Sequence, residues 1–191
     1  MRKIKTIFHR DWEGTRKCID TLAVDKQVLS ACFATEKIDG MNIRVTLRNG
    51  TVVRVEKRRN PNKKLKSLGI TEPWYVDASS EEKQDKWIFD AVDNTSFTHL
   101  PDGEWSAEAF GVNIQGNPLK LSKNQVFVFG CPSELEKIRL KNVPLDFEGI
   151  KSFLLSAKSH FNSACNIEGI VWHNAKGDKF KIKKKDFSQV V

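Results

Sequence analysis

The sequence has little that marks membrane, secreted or zinc-binding proteins. The 191 residues contain no apolar run long enough to span a bilayer. The N-terminal residues are basic, but no apolar segment typical of a signal peptide follows them. The four cysteines are scattered, without a C-x-x-C pair or the spacing of zinc ligands. We therefore expect reduced thiols in an intracellular protein, cytoplasmic or nuclear, with no targeting signal and no membrane contact.

The chain also has no internal repeat, no low-complexity linker and no regular alternation of strands and helices. Its length fits one domain, and a hydrophobic content of 39% is enough for a packed core. The net charge of +8 favours a polyanionic partner such as nucleic acid. Charge alone leaves open the alternative of a basic protein without such a partner.

A hairpin is the clearest local signal in the sequence. Residues 42–48 and 51–56 are alternating runs rich in β-branched side chains, and Asn49-Gly50 joins them. Asn-Gly is typical of a type I′ turn, in which both residues have positive φ. The pattern predicts two antiparallel strands just downstream of Lys37.

Other segments have the patterns of short strands and amphipathic helices. The predicted helices are 81–92 and 147–161. The predicted strands are 104–110 and 125–129, with a second hairpin formed by 167–172 and 179–183. Strands dominate without regular βαβ order, so we expect the α+β class built on antiparallel sheets. Residues 1–30 are too few for a separate domain and should join the core.

Lys37 is the first candidate for catalysis. It ends an apolar segment, residues 31–35, and is followed by Asp39-Gly40. This position fixes an amine where a strand meets a turn. A free lysine has a pKa of about 10.4 and attacks poorly near neutrality, so a catalytic lysine needs desolvation or neighbouring positive charge. The alternative is an ordinary exposed lysine before a turn.

A second set of charged residues lies near the end of the sequence. Glu168 precedes an apolar strand, and a carboxylate near phosphate chemistry commonly manages Mg²⁺. Gly169 would allow a ligand to approach the backbone closely. Lys179, Lys181 and Lys183 alternate, so they should share one face of a strand. Like charges on one face repel unless an anion binds there, although a solvated basic edge strand is the alternative.

A basic segment follows the first hairpin and includes a proline. We expect it to be a loop that binds the nucleic-acid backbone, with Glu56 as its only acid. Its cations are Arg54, Lys57, Arg58, Arg59, Lys63, Lys64 and Lys66.

Taken together, Lys37-Ile38-Asp39-Gly40, Glu168-Gly169-Ile170-Val171 and Lys181-Ile182-Lys183 resemble the covalent nucleotidyltransferases. Among them the sequence is most similar to the ATP-dependent RNA ligases of the RNA ligase 2-like branch and to related short ligase domains. The similarity runs from about residue 33 to residue 187. The resemblance implies an α+β fold: the antiparallel sheets of a ligase-type, ATP-grasp-like adenylyltransferase domain with flanking helices.

The resemblance also implies roles for residues that bind the base and the sugar. Glu36 would receive the adenine amino group, and Phe129 would stack on the ring. Glu108 would bind the ribose hydroxyls, with Glu104 as its rival. Many RNA ligases have an aspartate where this chain has Gly130, a departure next to Phe129.

Further roles concern the phosphates. Ile38 would lie in the nucleotide site and Asn42 near the phosphates, with Arg58 near the ribose and the RNA 5′-phosphate. Lys181 and Lys183 would contact the α-phosphate, and Glu168 would hold the metal ion. Catalysis would thus depend on Lys37, Glu168, Lys181 and Lys183.

The activity implied by the resemblance is ATP-dependent RNA ligation. Lys37 would take AMP from ATP, with Mg²⁺ or Mn²⁺, and a 5′-phosphate end would then be joined to a 3′-hydroxyl end. We expect a monomer that acts on RNA, with DNA as a further substrate to consider. Only eight residues follow Lys183, so we expect one domain over 1–191 without a C-terminal OB domain. The alternatives are a minimal DNA ligase, a guanylyltransferase, a non-catalytic basic nucleic-acid-binding module, or a piece of a longer ligase.

Overall fold

Mainly antiparallel sheets organise the chain, whose computed structural model describes residues 4–188. In chain order the strands are β1 (Lys5–Thr6), β2 (Phe8–Arg10), β3 (Cys18–Leu22), β4 (Phe33–Lys37), β5 (Met41–Arg48), β6 (Thr51–Arg59), β7 (Trp74–Asp77), β8 (Gly103–Phe110), β9 (Gln125–Val128), β10 (Arg139–Leu140), β11 (Gly169–His173) and β12 (Lys179–Lys183). The helices are α1 (Lys26–Ser30), α2 (Lys63–Ser67), α3 (Lys86–Asp93), α4 (Pro132–Lys137) and α5 (Phe147–Ser156), and a 3-10 turn spans Lys184–Asp186.

The described residues form two compact units. The first, the hairpin unit, runs from Asp39 to Leu135, and the second, the lysine unit, consists of residues 4–38 with residues 136–188.

One five-stranded antiparallel sheet organises the hairpin unit, in the order β7-β6-β5-β8-β9. One face of β5 carries Ile43, Val45 and Leu47, which are fully buried, and they pack with Ile88 and Ala91 of α3. The alternation of apolar and polar residues along β5 thus turns one face to the core and leaves the other face polar.

The predicted hairpin between β5 and β6 is confirmed. Arg48 pairs with Thr51, and the two residues between them have φ of 50° at Asn49 and 71° at Gly50. Positive φ at both central residues is what a type I′ turn requires. A bulge lies at Thr46/Leu47, and β6 extends three residues beyond the predicted strand end.

A second five-stranded sheet organises the lysine unit, in the order β1-β12-β11-β4-β10. Its pairings are antiparallel except for β1, which lies parallel to β12. The predicted hairpin of β11 and β12 is therefore present, and β4 pairs with the other edge of β11. Ile150 and Leu154 of α5 pack with Trp172 in the core.

Residues near the start of the chain join this core, as expected. Ile7, Phe8 and Leu29 are buried in the same apolar cluster as Trp172 and Ile182. The α+β class with antiparallel sheets is confirmed. Within residues 4–188, no helix is both long and apolar enough to cross a bilayer.

Both predicted helices are shorter than their sequence patterns suggest. Helix α3 begins at Lys86 because Asp85 turns its carboxylate to the Ser79 N–H, at 2.8 Å, and closes a turn before the helix. Helix α5 ends at Ser156 because Ala157 adopts an extended conformation. The predicted basic loop is also different: its first part lies on β6, and only three residues separate β6 from α2.

Candidate functional site

Two lysines of the lysine unit share one carboxylate. Lys37 Nζ donates a hydrogen bond to Glu168 Oε2 at 2.7 Å and another to the Ile38 carbonyl at 3.1 Å. Lys183 Nζ lies 2.6 Å from Glu168 Oε1 as an ion pair, although no hydrogen bond of normal geometry reaches that oxygen. The three side chains are only 14–18% exposed, so these charges interact under weak solvent screening.

Strand register brings these residues together from distant parts of the sequence. Gly169 pairs with Lys37 on one side and with Lys183 on the other, so Glu168 stands at the shared end of three strands. Asp186 fixes the end of β12, because its Oδ2 accepts from the Lys183 N–H at 2.9 Å. Arg10 in turn pairs with Asp186 at 2.5 Å.

Lys181 belongs to the same positive cluster. Its pKa is lowered to about 8 because burial disfavours the charged form, and Lys183 and Lys37 add positive charge nearby. Glu168 and Asp186 oppose this effect only in part. Burial also lowers the pKa of Lys179. The predicted row of lysines on β12 is therefore a desolvated cluster for which a bound anion would be favourable.

The glycines of both short motifs are required by close packing within each unit. A Cβ on Gly40 would lie 2.3 Å from the Ala109 carbonyl oxygen, and one on Gly169 would lie 2.2 Å from the Ile182 carbonyl oxygen. Such distances are too short for any side chain. The close approach predicted for Gly169 is thus made by the neighbouring strand of the protein itself.

Glu36 is a buried carboxylate with a histidine partner. Adjacent residues on a strand point to opposite faces, so its carboxylate lies on the other side of the sheet from Lys37. Glu36 is 2% exposed, and its Oε2 accepts from the His160 N–H at 2.8 Å while lying 2.9 Å from His160 Nδ1. This carboxylate therefore anchors the loop that leads to Glu168. Its other oxygen, Oε1, is buried and accepts no hydrogen bond within residues 4–188, which leaves an acceptor for a donor such as the adenine amino group. The predicted role of Glu36 therefore stays a prediction.

Ile38 contributes through its backbone. Its side chain is 2% exposed, whereas its carbonyl accepts the second hydrogen bond of the Lys37 amine. This carbonyl helps to orient the Lys37 amine, and the place of Ile38 in the nucleotide site stays a prediction.

Two residues predicted to bind the sugar and the phosphates lie side by side in the sheet of the hairpin unit. Asn42 pairs with Glu108 across β5 and β8, and its Nδ2 lies 3.4 Å from Glu108 Oε2. Glu104, the rival of Glu108, is 53% exposed and pairs with Arg44 at 3.2 Å. Because Glu108 is tied to Asn42 and Glu104 is not, we keep Glu108 as the ribose candidate.

The two aromatic candidates at the end of β9 differ in exposure. Phe127 is 5% exposed, whereas Phe129 is half-buried, and the ring centroids lie 5.7 Å apart. The backbone N–H of Phe129 donates to the Ser106 carbonyl at 2.8 Å, which holds the residue against β8. The Phe129 ring therefore has more accessible surface to offer a base than the Phe127 ring, and its stacking on adenine stays a prediction.

Within the basic segment, the structure differs from the expectation at Lys57. Its side chain is 4% exposed and its Nζ lies 2.6 Å from Asp85 Oδ2, with Glu82 as a second partner. Although burial opposes the charge, hydrogen bonds to Asp85 and Glu82 raise the pKa of Lys57. This ammonium ties β6 to the turn before α3, so Lys57 is no longer a candidate for contact with nucleic acid.

The remaining cations of this segment fall into two groups. Arg54 and Arg59 are about half-exposed and already pair with carboxylates, at 2.6 Å to Asp77 and 3.6 Å to Glu82 respectively. The lysines of α2 are exposed and have no ion pair within residues 4–188. These are Lys63, Lys64 and Lys66. They are the segment's best candidates for phosphate contacts.

Arg58 stands apart from both groups. Its Nε is buried and donates to no acceptor within the described part of the chain. A buried donor without an acceptor is costly, so this site is suited to an anionic ligand group. That is compatible with the predicted place of Arg58 near the ribose and the 5′-phosphate.

Two residues that contact the candidate site residues were not predicted from the sequence. His160 falls inside the helix predicted over 147–161, but α5 ends at Ser156, so His160 lies in the loop that follows. Tyr75 lies on β7, a strand of four residues that was not predicted, and its hydroxyl donates to Asn42 Oδ1 at 2.8 Å. The only available signal was that Tyr75 is the single tyrosine of the chain.

Comparisons with known proteins give structural matches alone. No protein-family model matches the sequence, and no curated protein matches it. Among solved structures, a mutant Naegleria gruberi RNA ligase with ATP and Mn aligns with a TM-score of 0.52 at 14% identity, over 96% of this chain and 58% of that chain. A second mutant with ATP and Mn gives 0.52 at 15% identity, over 97% and 62%.

A mutant of the Naegleria gruberi RNA ligase R4a in its apo form aligns with a TM-score of 0.50 at 16% identity, over 83% of this chain and 52% of that chain. The chain thus spans about half to three-fifths of the length of these ligase structures. At such low identity the likeness shows the fold: an α+β, antiparallel arrangement like that of the ligase structures.

Proposed function

We propose that this protein is an ATP-dependent RNA ligase that works through a covalent lysyl-AMP on Lys37. The observation that carries the proposal is the convergence of Lys37 and Lys183 on Glu168, at 2.7 and 2.6 Å, beside the desolvated Lys181. The likeness in fold to RNA ligase structures, two of them solved with ATP and Mn, supports the proposal.

The first step is transfer of AMP to the Lys37 amine. The Lys37 ammonium loses its protons to solvent water, Nζ attacks the α-phosphorus, the bond from phosphorus to the bridging oxygen breaks, and pyrophosphate leaves. Two hydrogen bonds, to Glu168 and to the Ile38 carbonyl, hold Nζ in one direction. Catalysis of such in-line displacements depends mainly on positioning and on charge neutralisation. Lys181 and Lys183 supply positive charge for the phosphate.

The residues present also fit a divalent metal ion. Glu168 offers a carboxylate, whose Oε1 accepts no hydrogen bond of normal geometry although Lys183 Nζ lies 2.6 Å away. Carboxylates suit Mg²⁺ and Mn²⁺, and an ion at Oε1 would take the place of that ammonium. Residues 4–188 contain no cluster of three metal-binding side chains, so phosphate oxygens and water would complete the ion's coordination. When bound, the ion would neutralise phosphate charge.

The later steps use RNA as substrate. AMP passes from Lys37 to a 5′-phosphate, forming a 5′-5′ pyrophosphate, and a 3′-hydroxyl then displaces AMP. The exposed lysines of α2, Lys63, Lys64 and Lys66, are the proposed contacts for the RNA backbone, and Arg58 is the proposed partner of an anionic group. We propose that the protein acts as a monomer.

A joining assay with two RNA substrates tests this proposal. With ATP and Mg²⁺ or Mn²⁺, the protein should join 5′-phosphate RNA to a 3′-hydroxyl end. Lys37→Ala should abolish that reaction yet still join RNA that already carries AMP, because such RNA no longer needs the lysine. Joining of neither RNA by the unmodified protein would contradict the proposal. Joining of DNA ends alone would favour a DNA ligase, and labelling of Lys37 by GTP alone would favour a guanylyltransferase.

A further inference from the structure

Tyr75 lies across the polar face of the hairpin unit. It comes from the edge strand β7, where it pairs with Arg58 of β6. Its hydroxyl donates to Asn42 Oδ1 on β5 at 2.8 Å and lies 3.4 Å from Ser106 Oγ on β8. Strands two places apart in a sheet are separated by roughly 10 Å, so the phenol ring spans β6 to reach Asn42.

Arg44 holds this ring in place. Its guanidinium carbon lies 4.8 Å from the centroid of the Tyr75 ring. The same guanidinium binds both carboxylate oxygens of Glu56, at 2.6 and 2.7 Å, and Glu56 is 2% exposed. A bidentate pair of this kind is rigid, so the ring packs under a cation that cannot easily move away.

The Tyr75 hydroxyl restrains the Asn42 amide in the orientation that the other contacts of the amide select. Asn42 Nδ2 donates to the Ala107 carbonyl at 3.1 Å and lies 3.4 Å from Glu108 Oε2. The opposite orientation would place the amide oxygen against both of these oxygens, which would repel it. The Ala107 and Glu108 oxygens thus select the orientation of the amide, and the Tyr75 hydroxyl, by donating to Oδ1, holds the amide in that place.

We propose that Tyr75 is a positioning residue for ribose recognition, acting through Asn42 on the Glu108 carboxylate. The inference rests on the proposed function, in which Glu108 binds the ribose hydroxyls of ATP. A carboxylate held in one orientation favours a nucleotide that offers it a hydroxyl donor. Tyr75 therefore increases the affinity for ATP relative to the affinity for nucleotides that lack a ribose hydroxyl.

Binding of three nucleotides to the Lys37→Ala protein tests the inference, because that protein cannot form the covalent adduct. The nucleotides are ATP, 2′-deoxy-ATP and 3′-deoxy-ATP, and calorimetry gives each Kd. Tyr75→Phe removes only the hydroxyl. It should shrink the preference for ATP over at least one deoxy analogue by about two- to tenfold, the range expected for one hydrogen bond. Trp74→Phe, the neighbouring change on β7, should leave that preference unchanged.

A spectroscopic measurement adds a readout that packing alone does not explain. Because Tyr75 is the only tyrosine, ¹³C-labelled tyrosine gives a single ring signal in the NMR spectrum. ATP should shift this signal more than the deoxy analogue that cannot donate a hydroxyl to Glu108. An equal shift with all three nucleotides would contradict the inference.

The outcomes separate failure of the inference from failure of the proposed function. If Glu108→Ala abolishes the preference for ATP while Tyr75→Phe preserves it, the positioning role is wrong and the ribose site remains. If Tyr75→Phe weakens the binding of all three nucleotides equally and lowers the Tm of the protein, Tyr75 only packs against Arg44. If the Lys37→Ala protein binds no ATP, both the proposed function and the inference are wrong.

Discussion

Replacing Glu168 with glutamine removes the one carboxylate on which two lysines converge. The change keeps the shape of the side chain and cancels its charge. At 2.7 and 2.6 Å, each ion pair is worth roughly 6 kcal/mol at an effective dielectric constant of about 20, before desolvation offsets most of it. The part of this interaction energy that stabilises only the transition state is on the order of 3 kcal/mol, and its loss would slow the reaction about a hundredfold.

Two assays on Glu168→Gln test this estimate. Formation of lysyl-AMP from ATP and joining of pre-adenylylated RNA should both fall about a hundredfold, because the carboxylate serves both reactions. The pKa of Lys181 should fall further, since Glu168 now helps to raise it. Circular dichroism and a melting curve show whether the variant is folded. A folded variant that joins adenylylated RNA at the normal rate would refute the catalytic role.

Three more predictions concern the charged groups. Because the pKa of Lys181 is about 8, kcat/KM for adenylylation should decline above that pH as the Lys181 ammonium is lost. Lys181→Arg stays charged and should move the decline to higher pH. If the decline does not move, Lys181 does not supply charge to the phosphate. Neutralising Lys63, Lys64 and Lys66 together should reduce the salt dependence of RNA binding while adenylylation persists. The slope of log K against log salt concentration should fall by about 0.7–0.9 for each phosphate that the protein no longer neutralises. An unchanged slope would mean that these lysines are only a solvated surface. Lys57→Met should lower the free energy of unfolding by about 3–5 kcal/mol, because it leaves a buried carboxylate without its partner; a decrease below about 1 kcal/mol in urea unfolding would show that the pair contributes little.

Local structure was predictable where local chemistry decides it. The turn at Asn49-Gly50 follows from the conformations that these two residues tolerate, and alternation along β5 and β12 indicated which side chains share a face. The meeting of Lys37, Glu168 and Lys183 was expected only from motif order and resemblance. Its geometry depends on the pairing of three strands from distant parts of the chain, which no local pattern determines.

The differences between sequence and structure have equally specific causes. Lys57 stands among exposed cations, and its partner Asp85 is 28 residues further on, so its burial left no local trace. Glu36 contacts His160, which is 124 residues further on, so that contact also left no local trace. Tyr75 acts across three strands, and that interaction exists only once the sheet is formed.

The mass of the intact protein after incubation with ATP and Mg²⁺ or Mn²⁺ tests the central claim most directly. The proposal predicts the addition of one AMP, mapped by peptide sequencing to Lys37 and absent from Lys37→Arg, which keeps the charge but cannot form the adduct. An adduct on another lysine, or no adduct across a range of metals and pH, would contradict it.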